Sequence, residues 1–104
     1  MRTKKRISGY SEEIAKDYID VKKPIYSLST ELIPQVVFED SKPTDEIASY
    51  KAWFIQEGVE PFQVKFDDRV SLPNFMKIVN FTSLEACEVR YNVYFKAKDI
   101  QEVK

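Results

Sequence analysis

The sequence predicts a mainly β domain, a small five-stranded antiparallel barrel or sandwich with a short N-terminal helix. Three observations carry that expectation. Residues 85–97 alternate in twos: Cys87, Val89, Tyr91, Val93, Phe95 and Ala97 fall on one face, and Glu88, Arg90, Asn92, Tyr94, Lys96 and Lys98 on the other. That is the period of a half-buried strand, and a helix would scatter the same apolar residues around its circumference. Phe62, Val64 and Phe66 repeat the alternation against Gln63 and Lys65. Seven Phe, six Tyr and one Trp suit pleated surfaces better than a helical bundle.

Taken in order, residues 1–9 read as a basic flexible arm and residues 10–104 as a single β-rich domain. The arm carries Arg2, Lys4, Lys5 and Arg6, which leaves residues 7–104 at −5 against a whole-chain charge of −1. A terminus of this kind either aids solubility or seeks phosphate. Residues 11–19 suit a short helix, with Ser11 as N-cap, Glu12 and Glu13 in the first turn, and Ile14 and Tyr18 an i,i+4 pair. Pro24 ends any continuation and leads into a brief extended piece at Ile25 to Leu28.

Residues 32–39 read as a strand that Pro34 confines to an edge or bulge. Residues 40–45 form a polar turn. Residues 46–56 fit helical spacing through Ile47, Tyr50 and Phe54, but the aromatic run Tyr50 to Ile55 favours a strand, with Ala48, Tyr50, Ala52 and Phe54 opposite Ser49, Lys51, Trp53 and Ile55. A turn at Gly58 leads to the strand at Phe62–Phe66, which Asp67-Asp68-Arg69 ends. Met76 to Phe81 carries apolar residues on both faces and is expected to be central in the sheet or covered on both sides. Residues 85–97 follow as one long strand, and residues 98–103 trail along the surface. With only two Gly, tight primed hairpins are expected to be scarce.

Composition narrows the chemistry. Apolar residues at 43% and aromatics at 13% of 104 residues describe one folded domain. The chain has no His, which removes the usual general base, the usual metal ligand and every His-dependent triad. Its single Cys, Cys87, excludes internal disulfides and Cys/His zinc sites, fits a reducing, cytoplasmic setting, and is expected to be a buried thiol. No apolar run approaches a membrane span, and Ser11-Glu12-Glu13 stands where a signal peptide needs its apolar region. Two Gly cannot supply a phosphate loop or a dinucleotide fingerprint. The adjacent carboxylates Asp67-Asp68 sit where a turn places acids anyway. The chain is accordingly read as non-enzymatic, without metal or cofactor.

A binding surface is the better lead. Arg90, Tyr94, Lys96 and Lys98 share the polar face of the 85–97 strand, where cations flank a tyrosine ring. Interleaved cations and aromatics suit single-stranded nucleic acid, with phosphates on Lys and Arg and bases stacked on rings. Glu88 shares that face and opposes it.

Several stretches together carry a resemblance: Val36-Val37-Phe38-Glu39-Asp40, Thr44-Asp45-Glu46-Ile47, residues 66–72 as Phe-Asp-Asp-Arg-Val-Ser-Leu, and the ending Tyr-Phe-Lys-Ala-Lys-Asp-Ile at residues 94–100. Over roughly residues 35–100 the chain resembles a family of small proteins of unknown function encoded by integrative and conjugative elements of Gram-positive bacteria. Some members of that family are auxiliary factors that let a host helicase unwind the element's DNA. The resemblance implies an accessory factor in mobile-element replication or conjugative transfer, with a helicase or relaxase complex and single-stranded DNA as partners. The alternative is a protein–protein adaptor with no nucleic-acid contact, oligomeric through an exposed sheet edge, which the acidic body favours.

Overall fold

The computed structural model describes residues 9–103, and among them lie one helix and eight strands. The helix α1 (Glu12–Tyr18) is followed by β1 (Ile25–Ser27), β2 (Ile33–Glu39), β3 (Lys42–Gln56) and β4 (Val59–Phe66). The second half holds β5 (Ile78–Thr82), β6 (Glu85–Val89), β7 (Asn92–Lys96) and β8 (Asp99–Glu102). They form one sheet, in the order β6-β7-β4-β3-β1-β5-β8 with β2 also on β3, which curls into a half-barrel. Eight strands stand where five were expected, and the sheet is mixed, because β4 and β7 run parallel. No helix among the described residues is long and apolar enough to cross a membrane.

The helix forms as its sequence dictates. The Ser11 side chain accepts a hydrogen bond from the Glu13 backbone N–H at 3.1 Å, and Ile14 and Ala15 are buried. The helix ends at Ile19, whose backbone is extended, and Gln56 fixes the segment that follows: its side-chain carbonyl accepts from the Asp20 N–H at 2.9 Å, and its amide donates to the carbonyls of Asp20 and Lys23. Gln56 is 1% exposed, so these bonds offset the desolvation of its amide.

The core is the concave face of the sheet. Ala52, Val64, Phe95 and Ala86 lie level across β3, β4, β7 and β6, and all are buried. Phe54 packs edge-on against Phe81 with centroids 4.9 Å apart, and Phe62 reaches Phe95 at 5.1 Å. Ile14, Ala15 and Ile19 from the helical segment join the same core. Burying Phe54 and Phe66 contributes about 1.5–3 kcal/mol each.

Two sequence expectations are corrected. Residues 85–97 are not one strand but the hairpin β6–β7, with Val89 paired to Asn92 across the loop Arg90-Tyr91. Arg90 takes φ +57°, so the chain reverses where unbroken alternation predicted continuation. Residues 98–103 do not trail away: β8 pairs with β5 and buries Ile100. Of the two arrangements expected for β5 the structure shows the first: it lies inside the sheet between β1 and β8, and it is covered on one side only, with Val79 buried between exposed Ile78 and Asn80.

Tight hairpins are also present despite the shortage of Gly. Two-residue loops close β2–β3 at Asp40-Ser41, β3–β4 at Glu57-Gly58 and β6–β7 at Arg90-Tyr91. Asp40, Ser41 and Arg90 supply the positive φ that only Gly58 supplies without strain.

The β6–β7 loop gives a direct test. Arg90→Gly places an unstrained residue at positive φ and should leave unfolding free energy unchanged or raise it by up to about 1 kcal/mol in denaturant titration. In a continuous strand the same change would lower stability by about 0.5–1 kcal/mol, so the sign of the shift decides.

Candidate nucleic-acid interface

Reversal of the chain at Arg90 decides which side chains share a face. Paired positions in β6 and β7 have an odd separation, so the two arms of the hairpin have opposite parity. Glu88 pairs with Val93 and turns to the core side, where its Oε2 accepts a hydrogen bond from the Tyr18 hydroxyl at 3.0 Å. Cys87 pairs with Tyr94 and comes to the convex face instead. Glu88, expected to oppose the cations, is thus removed from their face.

The convex face carries two side-chain rows. Lys51 on β3 pairs with Lys65 on β4, and Lys65 pairs with Lys96 on β7. Glu85 of β6 ends this row opposite Lys96. One level along, Trp53 pairs with Gln63 and Tyr94 with Cys87. The rows arise because each strand alternates: Ala52, Val64 and Phe95 go into the core, which obliges their neighbours to face out. At about 4.8 Å between strands, the three lysines span about 10 Å.

Tyr10 lies over this face. Ser11 and Ala86 exchange two backbone hydrogen bonds, of 2.9 and 3.0 Å, which lay the segment before α1 along the free edge of β6. The Lys96 Nζ sits 4.9 Å and the Lys65 Nζ 5.5 Å from the Tyr10 ring centroid, within cation–π range. Burial pushes the Tyr10 phenol above its ordinary pKa, with Cys87, Asp67, Tyr94 and Glu85 adding to the effect. The phenol therefore stays neutral through the physiological range. Between these groups is a cleft of about 380 Å³, lined by Tyr10, Lys51, Trp53, Gln63, Lys65 and Tyr94 among others.

The expected site residues are distributed unequally. Tyr94 and Lys96 are in the patch. Arg90 is in the hairpin loop at the end of β6, and Lys98 lines, together with Lys96, an adjoining groove that holds Glu12, Asp67, Asp68 and Glu85. The arm residues Arg2, Lys4, Lys5 and Arg6 fall outside the described residues. Lys51, Trp53, Gln63, Lys65 and Tyr10 were not singled out from the sequence. Their strand alternation was visible there, but which strands become neighbours was not. Among the described residues, no three Cys, Asp or Glu side chains gather as a metal site would require. No family model, curated protein or solved structure matches the chain.

Cys87 is 8% exposed although it belongs to the convex face, and the register places Tyr10 beside it as cover. In the native protein a maleimide should label Cys87 slowly, and Tyr10→Ala should accelerate labelling while the circular dichroism spectrum is unchanged. Equal labelling rates in the two proteins would show that Tyr10 does not cover the thiol.

Proposed function

We propose that the chain is a non-enzymatic accessory factor that holds single-stranded DNA on the convex face of β3, β4 and β7. The observation that carries this reading is the row Lys51–Lys65–Lys96 beside the aromatic rings of Trp53, Tyr94 and Tyr10. Like charges directly opposite on neighbouring strands destabilise a sheet, and a polyanion laid along the row reverses the sign of that term. The rings beside it are 40% exposed at Trp53 and 47% at Tyr94, so each offers a surface on which a base can stack. A duplex hides its base faces, so the aromatic row favours a single strand.

The setting is mobile-element DNA replication or conjugative transfer, as the resemblance over residues 35–100 implies, with a helicase or relaxase complex as partner. Binding energy is then the working quantity: the protein traps displaced strand as the helicase advances. The adaptor alternative tethers the helicase and touches no DNA.

Fluorescence anisotropy with an oligothymidylate at two salt concentrations tests the binding half. Lys65→Ala and Lys96→Ala should each weaken binding and lower the slope of log affinity against log salt by about 0.7. Trp53→Ala should weaken it by about 1–3 kcal/mol, while Arg90→Ala, in the hairpin loop and not among the cleft's lining residues, should change it little. In a helicase assay, stimulation of unwinding should fall with DNA affinity across these variants. Stimulation that survives Lys65→Ala with Lys96→Ala would mean tethering, and no binding of single strands by folded protein at low salt would overturn the reading.

A further inference from the structure

The hairpin of β2 with the first half of β3 is organised unlike the rest of the sheet. β4 pairs with β3 only from Tyr50 onward, and among the described residues β2 pairs only with β3. Residues 33–49 therefore extend as a two-stranded ribbon beyond the half-barrel, and two-stranded ribbons gain little stability by themselves. Register shifts at Gln35/Val36 and Val36/Phe38 bend it. It presents Phe38 at 64% and Ile47 at 46% exposure. Around these stand Glu39, Asp40, Asp45 and Glu46 against one cation, Lys42. The ribbon thus exposes one apolar side chain at mid-length and another beside its tip, and is acidic in charge.

The convex face is its complement in both respects, offering Lys51, Lys65 and Lys96 for the carboxylates and Trp53 and Tyr94 for Phe38. Lys51 stands at the ribbon's own root, paired with Ile33. The ribbon extends away from that root, so the face it meets belongs to another molecule. We propose that the acidic ribbon of one copy docks on the lysine–tryptophan face of a second copy, so that the protein associates with itself through the surface that also holds single-stranded DNA. Self-association and DNA are then mutually exclusive, and displaced strand releases the contact. The inference rests on the anion-binding character assigned above to this face.

Sedimentation velocity of the full chain over a concentration series at low salt tests it. The wild type should move from monomer to oligomer with concentration, and oligothymidylate should return it to monomer. Charge reversal on the ribbon (Glu39→Lys, Asp40→Lys, Glu46→Lys) or on the face (Lys51→Glu, Lys65→Glu, Lys96→Glu) should each weaken association by roughly tenfold or more. Mixing the two reversed proteins should restore it, which also shows that both are folded. A wild type that stays monomeric throughout, association that survives both reversals, or oligomers that bind DNA without dissociating would overturn the proposal. DNA binding is read separately on the wild type at concentrations where it is monomeric, because the reversed ribbon would itself attract a polyanion. Failure there counts against the nucleic-acid reading, whereas failure to self-associate counts only against the docking.

Discussion

The parallel pairing of β4 with β7 is the constraint on which the site depends. Only Val64 with Phe95 and Lys65 with Lys96 define its register, and the Ala97 N–H extends it by donating to the Lys65 carbonyl at 3.0 Å. Phe95 and Val64 are both buried, so the join is held by packing more than by its few ladder bonds. A slip by one residue would turn Phe95 to solvent and Lys96 into the core. The same contact that closes the core therefore aligns Lys96 with Lys65 and Lys51.

The sequence carried the local pattern well. The Ser11-capped helix, the alternation of β4, and the β3 face of Tyr50, Ala52 and Phe54 all follow from side-chain type and spacing. What was not legible was the reversal at Arg90. Val89-Arg90-Tyr91-Asn92 holds no Gly and continues a perfect alternation, so nothing local distinguishes a hairpin from a strand. The left-handed conformation is imposed there by pairing of β6 with β7 and by burial of Ala86 against Phe95. Tertiary packing outweighs a local strain of about 1–2 kcal/mol. The error spread to the site, because it put Glu88 among the cations and Cys87 among the core residues.

The anionic ligand proposed for this chain would meet a local row of cations on a body that is acidic elsewhere. Four carboxylates lie on the ribbon, and Glu12, Asp67, Asp68 and Glu85 line a groove that adjoins the lysine row at Lys96, while among the described residues Glu60 is the one carboxylate that lines the cleft with Lys51 and Lys65. Over distances longer than about 8–10 Å salt screens the acidic remainder, so the local row governs short-range binding. Net charge near zero thus conceals an uneven surface, with three lysines aligned across β3, β4 and β7 and four carboxylates on the ribbon.

Trp53 is the chain's single tryptophan and stands in the aromatic row, so its fluorescence reports on the face without any label. Titration of the native protein with single-stranded oligothymidylate at low salt should quench this emission saturably as a base stacks on the indole, and added salt should reverse the quenching. Unchanged Trp53 emission at strand concentrations that saturate binding, or no binding at low salt, would contradict the assignment of this face.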